Sequence, residues 1–219
     1  MFPIGDDNST RRRIPFVTYI LILANLIFFS AELSLGDDFI LRWAFIPQRF
    51  MADPLGDFPT LFSALFLHAG WLHIIGNMLY LWIFGDNVED RFGHLKFLLF
   101  YLLCGLAATL AQFAVDPYSP VPTLGASGAI AGVLGAYILM FPVAQVRVFL
   151  LAWIIRLPAL FVLGMWILLQ LFGGVGSILA PEEGGVAYMA HIGGFATGFI
   201  LTFFFRQRKA RTSDGPFYP

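Results

Sequence analysis

Four of the polar side chains within the long apolar segments of this chain stand out: His73, Asn77, Ser127 and His191. A serine hydroxyl becomes a nucleophile when a base lies within hydrogen-bond reach, and histidine is the side chain that suits this role near neutral pH. Acyl transfer also needs hydrogen-bond donors for the oxyanion of its tetrahedral intermediate. Asn77 offers a carboxamide, His73 a ring N–H, and Ser127 its own backbone amide. These residue types favour acyl transfer by a Ser–His dyad, if the fold brings them together.

The composition indicates that the solvent around this chain is lipid. Of its 219 residues, 58% are hydrophobic and only 12% are charged, whereas about a quarter of the residues of a soluble domain are charged. A net charge of -1 gives no electrostatic case for binding nucleic acid. The single Cys104 excludes an intrachain disulfide. We expect neither a metal nor a cofactor.

Six apolar segments have the length of a transmembrane helix, which needs roughly 17 to 25 residues. They are Phe16–Ala31, Leu61–Gly85, Phe97–Val115, Ala126–Pro142, Leu157–Leu179 and Val186–Phe205. The sequence predicts an all-α polytopic membrane protein with six transmembrane helices. Residues 16–205 form its single membrane domain, between a cytoplasmic leader of residues 1–15 and a cytoplasmic tail of residues 206–219. We expect residues 61–69 to lie outside the bilayer or to dip obliquely, and residues 148–155 to dip or lie at its surface.

Basic residues predict the orientation, because cytoplasmic loops are enriched in Lys and Arg near the ends of spans. Three arginines precede the first span, and the last span is followed by Arg206, Arg208, Lys209 and Arg211. Both termini are therefore expected in the cytoplasm, which requires an even number of spans. The long loop of residues 33–60 would lie outside, at the level of the lipid headgroups.

The candidate residues on three different spans share one predicted depth. At about 1.5 Å per residue, His73, Ser127 and His191 lie about 18, 22 and 21 Å from the cytoplasmic ends of their spans. Asn77 shares a helix face with His73 because the two are four residues apart. No acidic residue lies well inside any predicted span. A lone His or Ser at such a position more often serves packing, but matched depth on three spans favours a shared site.

Small residues accompany the serine and the second histidine. Gly125, Gly128 and Gly132 surround Ser127, and Gly194 and Gly198 follow His191 at four-residue spacing. Such faces let two helices approach closely enough for a hydroxyl to reach an imidazole. Helix association alone would leave the same pattern. The position of the glycines beside Ser127 and His191 favours the site.

Three motifs together resemble the rhomboid family of intramembrane serine proteases, in its six-span prokaryotic form. They are His73-x-x-x-Asn77, Gly125-x-Ser127-Gly128 and Ala190-His191-x-x-Gly194-x-x-x-Gly198, on the second, fourth and sixth spans. The resemblance covers nearly the whole chain. It implies a rhomboid-like bundle in a prokaryotic inner membrane, and a serine endopeptidase that cleaves transmembrane protein substrates near the outer surface.

The resemblance also implies a role for each site residue. Ser127 would be the nucleophile and His191 its general base, with His73 and Asn77 as oxyanion partners. The fifth span and the loop of residues 180–186 would act as gate and cap. Some bacterial members stack an aromatic residue on the catalytic histidine where this chain has Ala131, so we expect another group to orient the His191 ring. Many members also carry Trp-Arg before the second span, where this chain has Pro59-Thr60.

Two other classes of protein remain open from the residues themselves. A transporter or channel would also place polar residues in the membrane, but it expects a polar path to the cytoplasmic side and often an inverted repeat. The lower halves of the predicted spans are almost wholly apolar, and no such repeat is visible. The other alternative is a non-catalytic binder of transmembrane helices, which would capture substrates without Ser127 or His191.

Overall fold

Most of the described chain is helical. The computed structural model describes residues 2–9, 11–179 and 186–206. The helices are α1 (Phe16–Leu35), α2 (Asp37–Trp43), α3 (Pro47–Ala52), α4 (Thr60–Ser63), α5 (Trp71–Phe92), α6 (His94–Val115), α7 (Ser127–Met140), α8 (Ala159–Leu179) and α9 (Tyr188–Phe205), with a 3₁₀ turn at Ala64–Phe66. The strands are β1 (Phe2–Gly5), β2 (Gln145–Leu150) and β3 (Trp153–Pro158).

Among the described residues, four helices are long and apolar enough to cross a membrane: α1, α6, α8 and α9. The number rises to five if α4, the 3₁₀ turn and α5 form one broken span. Helix α7 is apolar but has only 14 residues, fewer than the roughly 17 that a spanning helix needs. The prediction of a helical membrane protein is confirmed, whereas length and composition alone do not yield six spans.

The second predicted span, Leu61–Gly85, is bent. Its first residues form α4 and the 3₁₀ turn, and these lie at 93° to α5. This agrees with the expectation that residues 61–69 leave the axis of the span. Helix α5 then runs to Phe92, seven residues beyond the predicted end. The predicted span ended at Gly85 because charged residues follow it. One of these, Glu89, is nevertheless buried inside the bundle, where it accepts hydrogen bonds from the N–H and the hydroxyl of Thr18 at 2.8 and 2.7 Å.

The protein is mostly helical, as predicted, but it is not all-α, because three strands form an antiparallel sheet in the order β1-β2-β3. Residues 148–155, expected to dip or lie at the membrane surface, belong to the hairpin of β2 and β3. In β2, Val146 and Val148 are buried while Arg147 and Phe149 are exposed, which is the two-residue period of a strand. The sequence analysis missed this short strand pattern because most of the chain consists of apolar helical segments.

Polar contacts join the segment after β1 to the bundle. Asp6 accepts a hydrogen bond from the hydroxyl of Tyr137 on α7 at 2.6 Å, and another from the side-chain amide of Asn87 on α5 at 2.7 Å. Arg11 forms an ion pair of 2.5 Å with Asp86 on α5. The residues before α1 therefore hold the ends of α5 and α7 together.

Candidate functional site

Ser127 and His191 are in hydrogen-bond contact. The Oγ of Ser127 lies 2.8 Å from Nε2 of His191, although the two residues are 64 positions apart. Ser127 is the first residue of α7 and His191 lies in the first turn of α9. A hydroxyl that donates to an imidazole nitrogen at this distance is in reach of a general base.

Close approach of α7 and α9 makes this contact possible. A Cβ at Gly194 would collide with the carbonyl oxygen of Gly128, and a Cβ at Gly198 would collide with that of Gly132. Only glycine fits where the two backbones touch. The small-residue faces expected from the sequence therefore lie against each other, immediately beside the Ser127–His191 pair.

The His191 ring is held from its other edge by α8. The Oε1 of Gln170 lies 2.8 Å from Nδ1 of His191. An amide oxygen only accepts hydrogen bonds, so Nδ1 carries the ring proton and Nε2 faces Ser127 as the acceptor. The Trp166 ring packs on the imidazole with centroids 5.8 Å apart. Gln170 and Trp166 are therefore the groups that contact the His191 ring, in a protein that has no aromatic side chain at position 131. The sequence analysis predicted that such a group exists but identified neither residue.

His73 borders the same small space as Ser127. A Cβ on Gly125 would lie 2.9 Å from Nε2 of His73 and 3.6 Å from Oγ of Ser127. Gly125 also has a φ of 123°, in a region that favours glycine. The Nδ1 of His73 accepts a hydrogen bond of 3.3 Å from the N–H of Ala69. The proton of the neutral ring is then on Nε2, which is the nitrogen nearest to Gly125.

Asn77 contacts a third histidine, His68, which the sequence analysis did not single out. Its Nδ2 lies 3.0 Å from Nε2 of His68. The backbone N–H of His68 donates in turn to the carboxylate of Glu32, at 3.1 Å from each oxygen. Glu32 is buried in α1, one residue beyond the predicted end of the first span. The one signal for His68 was a histidine placed five residues before His73.

A small cavity opens beside Ser127. Small and apolar residues line most of it, among them Leu65, Ala108, Gly125, Gly128 and Ala190. Thr109 adds a hydroxyl, but it donates to the carbonyl oxygen of Gly105. The space next to Ser127 therefore suits a small side chain.

Arg49 anchors the loop that precedes this site. Its Nε lies 2.6 Å from Oδ1 of Asp57, and its two terminal nitrogens donate to the carbonyl oxygens of Leu41 and Ala44. Arg49 therefore links three parts of the loop by hydrogen bonds. The arginine with this role is at position 49, not at the Pro59-Thr60 position where many family members carry Trp-Arg. The structure does not describe residues 180–185, so the expected cap lies outside the described residues. The basic residues Arg208, Lys209 and Arg211 of the tail lie outside them as well.

The fold and the site define a class of protein: a polytopic helical membrane protein with a Ser–His pair between two closely packed helices. The model of the Rhomboid domain family matches residues 56–208, more than half of the chain. The chain therefore belongs to the rhomboid family.

Curated relatives agree with this assignment. "Rhomboid protease GluP" of Bacillus subtilis is 36% identical over 126 residues, which are 56% of this chain and 24% of the relative. "RHOMBOID-like protein 5" of Arabidopsis thaliana is 33% identical, over 65% of this chain and 42% of the relative. "Putative rhomboid protease YdcA" of B. subtilis is 28% identical, over 91% and 93%. The chain thus spans less than half the length of the first two relatives and nearly all of the third.

Proposed function

We propose that this protein is an intramembrane serine endopeptidase that cleaves transmembrane segments of membrane proteins, with Ser127 as nucleophile and His191 as general base. The observation that carries the proposal is the contact of 2.8 Å between Ser127 Oγ and His191 Nε2. The names of the relatives GluP and YdcA, both called rhomboid proteases, support the same activity.

The geometry supports a two-step hydrolysis. Ser127 Oγ attacks the scissile carbonyl carbon while its proton passes to Nε2 of His191. The side chains of Asn77 and His73 and the N–H of Ser127 donate to the resulting oxyanion. The intermediate collapses to an acyl-enzyme, and the leaving amine takes the proton from His191. A water molecule, deprotonated by His191, then attacks the ester, and the carboxyl product leaves as the Ser127 hydroxyl is restored.

We further infer that α7 is the sixth membrane-crossing helix, enclosed by the other spans. Its residues from Gly128 to Tyr137 are all buried, so it needs little contact with lipid. Fourteen residues extend about 21 Å, which is about 9 Å less than a hydrocarbon core of about 30 Å. If the far end of α7 reaches the opposite surface, Ser127 lies inside the membrane, below the nearer one.

The orientation follows from the basic residues at both ends of the chain. Arg11, Arg12 and Arg13 precede α1, and Arg206 follows α9. With six spans, both termini lie in the cytoplasm of a prokaryotic cell, and Ser127 opens toward the outer surface of the inner membrane. Substrates would be transmembrane proteins with a small side chain at the cleavage site, because the cavity beside Ser127 is small.

Labelling and cleavage test the proposal together. Purified protein should react with a fluorophosphonate at Ser127 and cut a single-span substrate in vesicles. Ser127→Ala should lose both properties, whereas Ser177→Ala in α8 is the matched control and should keep them. His191→Ala should lose turnover while it still binds the substrate. Cleavage that persists in Ser127→Ala would refute the proposal, and capture without any cleavage by the wild type would indicate a non-catalytic binder.

A further inference from the structure

Two arginines lie side by side on the outward face of the three-stranded sheet. Arg147 of β2 is paired with Arg156 of β3, and both are exposed. Like charges at directly opposite positions destabilise an antiparallel pair, because their Cβ atoms are only about 5 Å apart. Within the described part of the chain, neither guanidinium forms an ion pair with a carboxylate. Two neighbouring guanidinium groups of this kind are suited to an anion with several oxygens.

The surroundings of the pair are largely open. The guanidinium of Arg147 extends over Gly5 of β1, where a Cβ would touch it. Arg156 interacts electrostatically with the exposed Asp7, whose lowered pKa owes more to the N–H of Ser9 than to that arginine. The net charge of this surface therefore remains positive.

Apolar side chains adjoin the arginines on the same face. Phe2, Phe149 and Ile154 form a row across the three strands, and all three are exposed. At the tip of the hairpin, Leu151 is 88% exposed and Trp153 is 74% exposed. These side chains would be costly in water, whereas the boundary between lipid headgroups and acyl chains accommodates them and is enriched in tryptophan.

The residue at the tip is unusual for a hairpin exposed to water. Leu151 has a φ of 56°, a conformation that a water-exposed hairpin normally gives to Gly, Asn or Asp. A leucine at this position carries a conformational cost, and burial of its side chain in lipid would offset that cost. The tip is therefore better matched to an apolar surface than to solvent.

The sheet is continuous with the membrane-facing surface of the bundle. Strand β3 ends at Pro158 and α8 begins at the next residue, with Leu160 and Phe161 exposed in its first turn. Strand β2 follows the end of α7 that lies farthest from Ser127, about 20 Å along that helix. The sheet therefore lies at the membrane surface opposite the catalytic end.

We propose that this surface, formed by Arg147, Arg156, Phe2, Phe149 and Ile154, binds the phosphate of an anionic phospholipid headgroup. The two guanidinium groups hold the phosphate oxygens, and the aromatic and aliphatic side chains contact the glycerol and the upper acyl chains. A zwitterionic lipid is a poorer ligand, because its ammonium group offsets the phosphate charge. A free phosphate makes no use of the apolar row.

Binding at this surface should stabilise the whole bundle. The residues that follow β1 connect the sheet to two helices of the site, because Asp6 bonds to Tyr137 of α7 and to Asn87 of α5. A lipid that holds the sheet in place therefore favours the folded arrangement of the helices that carry Ser127 and Asn77. A ligand that binds only the folded state raises the unfolding temperature.

Thermal unfolding of the purified full chain in a neutral detergent tests the proposal. Phosphatidylglycerol should raise the Tm of the wild type by several degrees, and phosphatidylcholine or inorganic phosphate should raise it much less. The double variant R147Q/R156Q should lose most of the rise. R12Q/R206Q is the matched control, because it loses the same charge at the same end of the bundle, and it should keep the rise.

A second variant distinguishes loss of lipid binding from loss of the fold. Arg147→Glu turns the like-charged pair into an opposite pair and leaves Arg156 beside Asp7, so the hairpin should be no less stable without lipid, yet the effect of phosphatidylglycerol should disappear. An undiminished rise in R147Q/R156Q, or an equal loss in R12Q/R206Q, would overturn the proposal. A rise with phosphate equal to that with the lipid would overturn it too, by indicating a free-anion site. None of these readings depends on peptidase activity.

Discussion

Gln170 accepts a hydrogen bond from His191 on the edge of the imidazole that faces away from Ser127, with Oε1 and Nδ1 2.8 Å apart. The contact selects the tautomer in which Nε2 can receive the serine proton. It also comes from α8, whereas Ser127 is on α7 and His191 is on α9. Three helices must therefore keep their places for the dyad to be aligned.

Replacement of Gln170 by methionine should lower kcat with little effect on KM. Methionine has a similar length but accepts hydrogen bonds only weakly, so His191 would lose its orientation while the substrate contacts remain. A loss of about tenfold corresponds to one hydrogen bond of about 1.4 kcal/mol. Steady-state cleavage of a single-span substrate in vesicles measures both constants.

Gln170→Glu is the matched control, because it keeps an acceptor oxygen at the same distance. It should retain far more activity than Gln170→Met. Equal activities of the two variants would show that the contact fills space and does not position the base. The Tm of both variants checks that α8 remains packed.

Asn77→Ala should lower kcat by about 10²- to 10³-fold, which is the usual cost of one oxyanion donor. His68→Leu should cost less, because it leaves the Asn77 amide in place but without its partner at 3.0 Å. If His68 acts through Asn77, the double variant should be no slower than Asn77→Ala alone, since effects within one network are not additive. Multiplied losses in the double variant would assign His68 a separate role.

The sequence was most informative where function required unusual residues in lipid. The shared depth of His73, Ser127 and His191 followed from helix rise alone, and the three lie around one point in the structure. The close approach of two helices at Gly194 and Gly198 could also be predicted, because small residues at four-residue spacing form one face of a helix. Polar and small residues are rare enough in an apolar span for their positions to carry information.

The residues that orient the site were not readable in this way. Gln170 contacts His191 from a different helix, and His68 contacts Asn77 from the irregular segment before α5. A linear pattern does not contain such side-chain geometry. The sheet was not predicted for another reason. An apolar strand of six residues next to a transmembrane segment looks like the end of that segment. Glu32 and Glu89 escaped notice because charge was taken to end a span, whereas both are buried with backbone donors.

The stability of the wild type should depend on pH through Asp6. Burial raises the pKa of Asp6 above its ordinary value of 3.8, although Tyr137 and Asn87 donate to it. A raised carboxyl pKa in the folded state means that folding favours the protonated form, so this contribution is lost as pH rises through the folded pKa. As pH rises above about 4, the ordinary carboxyl pKa, the Tm of the wild type should fall relative to that of Asp6→Asn.

Asp7 provides a control of opposite sign. It is exposed, and the N–H of Ser9 is the main cause of its lowered pKa. Its small contribution should be lost only on acidification below about pH 4, so Asp7→Asn should follow the wild type at the pH values where Asp6→Asn departs from it. A constant difference between wild type and Asp6→Asn at all pH values would contradict the prediction.

The contact between α7 and α9 predicts that a single methyl group can disable the site from a distance. A Cβ at Gly198 would meet the carbonyl carbon and oxygen of Gly132, which are backbone atoms that cannot rotate away. Gly198 is also seven residues, about two helical turns, from His191. Helix α9 would have to move away from α7, and His191 would move with it.

Gly198→Ala should therefore destabilise the protein by about 1–3 kcal/mol and abolish fluorophosphonate labelling of Ser127, although it touches neither residue of the dyad. Gly76→Ala in α5 is the matched control, because a Cβ there meets nothing within 4 Å. Alanine favours helix over glycine by about 1 kcal/mol, so the control should be as stable as the wild type or more so. Thermal unfolding and labelling of both variants measure the two effects, and full labelling of Gly198→Ala would show that the dyad tolerates separation of the helices.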